Sequence, residues 1–268
     1  MNTKPTVHFA DNYLLRPTNL ITINIIGAGG TGSQVLTAMA RINHSLVVLG
    51  HPGLLVQLFD DDIITSANLG RQLFADAEQG LNKATVLINR INRFFGTNWK
   101  AIPLQFSKTN VKKLPAGGAS NITISCVDTV PARFEIADLI KEVAGSCNND
   151  VYAPLYWMDF GNSRNTGQVI LSTIGKIKQP TSKKYNTVAE LHFITHEFKN
   201  LLKRSGKEDT TPSCSLAEAL SKQDLFINST LAAMGASLLW NLFRDGMTEN
   251  RGFFLNLKGF RTQPLKVA

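Results

Sequence analysis

Residues 21–33 read Ile21-Thr22-Ile23-Asn24-Ile25-Ile26-Gly27-Ala28-Gly29-Gly30-Thr31-Gly32-Ser33. Ile21, Ile23 and Ile25 alternate with Thr22 and Asn24, and Ile26 closes the apolar run, which is the pattern of a short, mostly buried strand. Gly27, Gly29, Gly30 and Gly32 follow at once. Glycine adopts positive φ and lets a neighbouring backbone or a phosphate come close. From Ser33 onward Val35, Met39, Ile42, Leu46 and Leu49 recur at roughly helical spacing. A strand, a glycine turn and a helix N-terminus present backbone N–H groups and a positive dipole end to an anion. The alternative is a tight turn with no ligand, although four glycines in six positions exceed what a turn needs.

The rest of the chain limits the classes this motif can belong to. At 268 residues and 43% apolar content the chain can bury a sizeable core, as one large domain or a domain with an appendage. No apolar run has membrane-spanning length and no N-terminal signal peptide is visible, so a cytoplasmic protein is expected. Cys126, Cys147 and Cys214 are widely spaced, which fits a reducing compartment and argues against a disulfide framework or a four-cysteine zinc site. The net charge of +8 favours an anionic partner. Its lysines and arginines are scattered, with local pairs at Lys112–Lys113, Lys183–Lys184 and Lys203–Arg204. A solvated basic surface describes them better than a nucleic-acid track.

Taken in order, residues 1–20 read as an irregular arm with a short strand at Val7–Phe9. His51-Pro52-Gly53 is a turn, and Leu54–Phe59 is a second strand ending in Asp60-Asp61-Asp62. An acid at that place can accept hydrogen bonds from ribose hydroxyls, or it can belong to a solvated loop. Lys83 opens a helix with Leu87, Ile91, Phe94 and Phe95 on one face, the aromatic pair expected in the core. Leu104 and Phe106 belong to an expected third strand, and Asn121–Val127 to a fourth that ends at Asp128 before a helix carrying Arg133. Asp128 suits a site carboxylate or a helix cap, and Cys126 a buried thiol. Val151–Phe160 is a further strand, turned by residues 161–166 and answered by Gly167–Ile174. Val188–Lys203 has helical spacing; His192 and His196 fall at i and i+4 on it, more simply a surface helix than a metal site. Leu225–Phe243 reads as a long helix rich in small residues, and Phe253–Leu257 with Phe260 onward as a hairpin.

The loop is thus Gly-x-Gly-Gly-x-Gly-Ser, and the stretch after the second strand is Asp60-x-Asp62-x(5)-Asn68-Leu69-x-Arg71-Gln72. With Asn82-Lys83 and Asp128, these segments resemble the ThiF/MoeB/ubiquitin-activating-enzyme superfamily, whose members adenylate the C-terminus of a small β-grasp protein. Within it the likeness is nearest to the ThiF-like proteins of bacterial PRTRC gene clusters. The resemblance implies an α/β fold: a Rossmann-like, largely parallel sheet flanked by helices, with a mixed or antiparallel C-terminal portion. It divides the chain into an arm (1–20), a nucleotide-binding half (21–160) and a second half (161–268) with partner-docking strands, crossover loop and C-terminal helix and hairpin, compact overall. It implies ATP and magnesium as cofactors. Gly27, Gly29, Gly30, Gly32 and Ser33 then form the nucleotide loop, Asp60 holds the ribose, and Asp62 supports the magnesium site. Asn68, Arg71 and Gln72 face the triphosphate, Lys83 reaches the phosphates, and Asp128 coordinates magnesium. Arg71, Lys83 and Asp128 would carry the chemistry. Cys214 falls in the family's crossover loop, where a cysteine can accept the acyl group; its polar setting before a helix suits a thiolate, and an inert thiol is the alternative. Arg16 corresponds loosely to an N-terminal arginine that reaches a partner subunit's nucleotide, and a homodimer is implied. The family's CxxC pairs are absent, so no structural zinc is expected. Membrane contact is not expected, and nucleic acid is not required. Two other classes share the glycine loop: a dinucleotide oxidoreductase, which has no use for Asn68, Arg71, Gln72 and Lys83, and an idle module that only recruits a partner.

Overall fold

The computed structural model describes residues 4–147, 150–205 and 223–268. Strands β2 (Ile21–Ile26), β3 (Leu54–Phe59), β4 (Lys100–Ile102), β5 (Ile122–Ser125), β6 (Tyr156–Asn162), β7 (Thr166–Thr173), β10 (Asn250–Asn256) and β11 (Arg261–Lys266) form one sheet in the order β11-β10-β7-β6-β5-β2-β3-β4. The run from β4 to β6 is parallel, and β7, β10 and β11 add antiparallel strands. A second, three-stranded sheet joins β1 (Thr6–Phe9) to β8 (Asn186–Thr187) and β9 (Met247–Thr248). Ile26 pairs with Phe59 on one side and Ser125 on the other, so β2, β3 and β5 end level. The loops at Gly27, Asp60 and Asp128 therefore leave the sheet on the same edge.

After the short α1 (Asn12–Leu15), helices α2 (Gly30–Val48), α3 (Lys83–Phe95) and α7 (Ile227–Asp245) cover one face of the sheet, and α4 (Val130–Ser146) the other. Strand β2 shows why: Ile21, Ile23 and Ile25 bury against Leu36, Met39 and Leu231, while Ile26 packs with Phe59, Ile136 and Ile140 on the opposite side. Thr22 and Asn24 are buried too, and their polarity is used internally. Asn121 Oδ1 accepts from the Thr22 N–H at 2.9 Å and its hydroxyl at 3.0 Å, and Asn24 Nδ2 donates to Gly118 O at 2.9 Å. Both faces of the strand are covered, as parallel sheets require. Helix α3 has definite ends: Asn82 Oδ1 accepts from Thr85 N at 2.9 Å, and Gly96 closes it in the left-handed region at φ 68°.

Four expectations are corrected. The third strand is Lys100–Ile102, and Leu104 and Phe106 lie beyond it; Phe106 is buried edge-on against Phe59. Phe94 is 80% exposed and meets Phe95 edge-on, so only Phe95 of the pair packs against the core. Residues 188–193 are not helical: Leu191 and Ala189 accept from Thr173 N and Ile177 N, and helix appears only in α5 (Ile194–Glu197) and α6 (Lys199–Ser205). Those backbone groups are already committed to the end of β7, and tertiary pairing overrides the helical spacing. The strand expected over 151–160 begins only at Tyr156 and runs on to Asn162 as β6, with Asp159 inside it.

The N-terminal arm is tied down through His8 in β1. This fully buried imidazole contacts Val188 O through Nδ1 at 2.7 Å and the Tyr156 hydroxyl through Nε2 at 3.0 Å. Burial lowers its pKa, against the Val188 carbonyl and the Asp11 charge, which raise it. The fold holds the neutral ring, so the unfolded chain binds the extra proton and stability declines as pH drops below about 6.5. Urea midpoints measured from pH 7 to pH 5 should fall in the wild type and fall less steeply in His8→Leu; parallel slopes would remove His8 from the account.

Candidate functional site

A cleft of about 340 Å³ opens where β2, β3 and β5 end. Its floor is the glycine turn. Gly27 has φ +96°, and a Cβ there would lie 2.8 Å from Cys126 O; a Cβ on Gly32 would lie 1.8 Å from Gly27 O. The turn is thus pressed against its own helix and against the end of β5, with no room for a side chain at Gly27 or Gly32. Gly27, Gly29 and Gly30 face the cleft. Gly32 serves the packing under it, and Ser33 is fully buried with its hydroxyl donating to Gly30 O at 3.1 Å.

Asp60 buttresses this floor. Its Oδ2 accepts from Ala28 N at 2.6 Å and its Oδ1 from Asp62 N at 2.9 Å. Burial nevertheless raises its pKa, the two N–H groups and the Lys83 charge only partly offsetting the desolvation. The loop is laced to α3 by Asn82 Nδ2, which donates to Asp60 O at 2.9 Å and Asp62 O at 3.1 Å. Lys83 is buried and places Nζ 2.7 Å from Asp62, whose side chain is 66% exposed.

Arg71, Gln72 and Asp128 also line the cleft. Arg71 donates from an Nη1 to Gln223 Oε1 at 2.7 Å. Among the described residues, its buried Nε and the buried Oε1 of Gln72 have no hydrogen-bond partner. Burial lowers the Arg71 pKa, and the Asp128 charge counters it. Asp128 is exposed at the rim; Thr129 rather than Asp128 caps α4, accepting from Ala132 N at 3.4 Å. Asn68 is not in the cleft. Its Oδ1 accepts from the Thr65 N–H at 2.8 Å and hydroxyl at 3.1 Å, closing a local capping box. Cys214 lies outside the described residues. Cys126 lines the cleft, where burial pushes its thiol up and keeps it protonated.

The cleft also holds residues that sequence reading did not single out. Asn162, Asn228, Thr31 and Gln223 form an amide-rich corner, and Phe59, Phe106, Val127 and Ile136 an apolar wall. Beneath Asp128, the buried Arg133 pairs with Asp159 at 3.2 Å and donates through Nη2 to Val127 O at 2.6 Å and Phe160 O at 3.1 Å. Ser125 donates to Asp159 Oδ1 at 2.6 Å and accepts from Trp157 Nε1 at 2.8 Å. A charged residue inside the apolar run Tyr156–Phe160 was the signal available for this network. The Asn228 amide, at the start of a helix rich in small and apolar residues, gave a fainter one. Among the described residues no three His, Cys, Asp or Glu side chains gather to hold a metal, and no helix is long and apolar enough to cross a membrane. A cleft with backbone N–H groups on its floor and a lysine and an arginine in its walls is suited to a polyanion beside a flat apolar group.

Comparison with known proteins agrees on the fold and extends over nearly the whole chain. Ubiquitin-like modifier-activating enzyme 5 of Culex quinquefasciatus is 25% identical over 155 residues, 54% of this chain and 34% of that protein. The Bombyx mori protein of the same name is 27% identical over 132 residues, covering 46% and 31%. The chain therefore spans about a third of the length of these relatives. Among solved structures, E. coli MccB superposes with a TM-score of 0.58 at 17% identity, covering 94% of this chain and 63% of MccB. PaaA does so with a TM-score of 0.58 at 14% identity, covering 92% and 73%. At such identities the structural likeness speaks for the fold. The ThiF family model matches residues 15–267, and on that match the chain belongs to the ThiF family.

Proposed function

We propose that this protein uses ATP to adenylate the C-terminal carboxylate of a small ubiquitin-like, β-grasp protein. The observation that carries the reading is the convergence of the glycine turn, Asp60, Arg71, Lys83 and Asp128 on one cleft at the ends of three adjacent parallel strands. Family membership supports it, as do similar structures of E. coli MccB with ATP and with MccA.

In this reading the triphosphate lies over the N-terminus of α2, whose first turn has backbone donors to spare. The ribose meets Asp60, whose oxygens keep lone pairs beyond the two N–H bonds they accept. The base lies against the Phe106 wall. The partner's carboxylate attacks the α-phosphate in line, the bond to the bridging oxygen breaks, and pyrophosphate leaves with that electron pair. The product is an acyl adenylate. Arg71 and Lys83 stabilise charge gathering on the phosphate oxygens, and Arg71 brings an Nε–H with no partner among the described residues. Asp128, an exposed carboxylate at the rim, fits a magnesium ion that arrives with the phosphates rather than one caged by protein. When bound, the ion would neutralise phosphate charge. Asp62 is half of an ion pair with Lys83 and stands second to Asp128 as its ligand.

ATP should therefore bind more tightly than NAD, because a dinucleotide has no terminal phosphates for Arg71 and Lys83. Calorimetry showing micromolar NAD binding and none for ATP would replace this reading with a dinucleotide enzyme. The proposal extends to Cys214 as acceptor of the acyl group, on the strength of its sequence setting. Cys214→Ala should keep pyrophosphate exchange and lose any thiol-labile adduct with the partner on a non-reducing gel. An adduct persisting in that variant would assign the acceptor elsewhere.

A further inference from the structure

One corner of the cleft is built from neutral amides, and they form one connected chain. Gln223 Oε1 accepts from Arg71 Nη1 at 2.7 Å and from Asn228 Nδ2 at 3.1 Å. Asn228 Oδ1 in turn accepts from the Thr31 hydroxyl at 2.9 Å and from Asn162 Nδ2 at 2.6 Å. Asn228 is only 2% exposed. Its amide lies flat on the glycine turn: a Cβ on Gly30 would come within 2.4 Å of Asn228 Nδ2. Four separate pieces of the chain meet here, namely the β3–α3 connection, the start of α2, the end of β6 and the start of α7.

Asn228 cannot turn without stranding a buried donor or acceptor, so its orientation is fixed and it fixes Gln223 in turn. Gln223 then spends its oxygen on Arg71. One guanidinium N–H is tied down, Nε–H is left without a partner among the described residues, and the arginine is held facing the cleft. The chemical identity of the holder matters. A carboxylate in this place would fix Arg71 equally well and neutralise it, setting an internal anion against the phosphate. An amide orients the cation and leaves its charge for the ligand.

We propose that Gln223 is a positioning residue for Arg71, anchored through Asn228 to the glycine turn, and that its neutrality keeps the guanidinium charge available to the nucleotide's phosphates. This rests on the reading of the cleft as a phosphate site. It adds that Arg71 and the glycine turn are set relative to each other by one side-chain chain, although their positions in sequence are far apart.

The test is titration calorimetry with inorganic pyrophosphate at fixed ionic strength, on the wild type, Gln223→Glu, Gln223→Met, Arg71→Ala and the double variant Arg71→Ala/Gln223→Glu. Arg71→Ala should weaken binding about 30-fold, the loss of charge-assisted hydrogen bonds. Gln223→Glu should weaken it about tenfold by neutralising the arginine, and Gln223→Met about threefold by releasing it. In the Arg71→Ala background, Gln223→Glu should change affinity by no more than about twofold, because its effect passes through Arg71. A purely structural role for Gln223 would lower the unfolding temperature, and would not rank Glu below Met. If the wild type binds pyrophosphate and Gln223→Glu binds equally well, or its loss persists undiminished without Arg71, the positioning role is overturned while the phosphate site stands. If the wild type binds neither pyrophosphate nor ATP, the phosphate reading of the cleft falls and takes the positioning role with it.

Discussion

Asp128→Ala is expected to lower ATP–pyrophosphate exchange by about 10²-fold or more, the usual penalty for removing a ligand of a catalytic metal. The same substitution should leave thermal unfolding unchanged. Asp128 is exposed at the rim of the cleft and does not cap α4, whose cap is Thr129. Its carboxylate bears on Arg71. Exchange close to wild type in a folded Asp128→Ala protein would strip Asp128 of any part in the chemistry.

The largest effect on stability is expected one layer down. Arg133 and Asp159 are both nearly inaccessible, with side-chain exposures of 6% and 1%. Arg133→Met keeps most of the volume but leaves Asp159 as a buried charge whose remaining side-chain donor is Ser125. It also frees Val127 O and Phe160 O. Breaking one side of such a pair costs about 3–5 kcal/mol, a large part of an ordinary domain's stability. Replacing both partners, in Arg133→Met/Asp159→Leu, should recover part of that loss, since no lone charge is then buried. Urea unfolding measures both, and a single variant within about 1 kcal/mol of wild type would mean that water or relaxation reaches Asp159. The network also steadies the strand end that presents Asp128, because Arg133 grips the carbonyl of the residue just before it.

Much of this was legible in sequence where the signal is local. The alternation at 21–26, the glycines and the period of α2 define a strand, a turn and a helix within a few dozen residues, and the structure has them there. The parallel sheet with an antiparallel C-terminal portion was what the family resemblance implied, and it is what the strand pairings show. The Asp60–Gln72 stretch and Lys83 were readable through their likeness to the family's motifs, and Asp60, Asp62, Arg71, Gln72 and Lys83 do line one cleft. Residues that act through distant partners were not. Asn162, Gln223 and Asn228 are ordinary amides until the fold brings them to Thr31 and Arg71. Asn68 carried the spacing of a phosphate contact, yet its side chain closes a capping box with Thr65. Periodicity failed at Phe94, whose helical position suited the core but which lies on the open side of α3. It failed again at 188–193, where hydrogen bonds to the end of β7 outcompete the helix.

In the proposed reaction a carboxylate at a protein C-terminus is the nucleophile toward the α-phosphate. The direct measurement is isotope exchange between pyrophosphate and ATP, with magnesium, in the presence of a β-grasp protein ending in a free C-terminal glycine, and in the presence of the same protein with its C-terminus amidated. Exchange that requires the free carboxylate and disappears with the amide is the result predicted. Exchange at equal rates with both forms, or none with any free-carboxylate β-grasp protein that binds the enzyme, would contradict it.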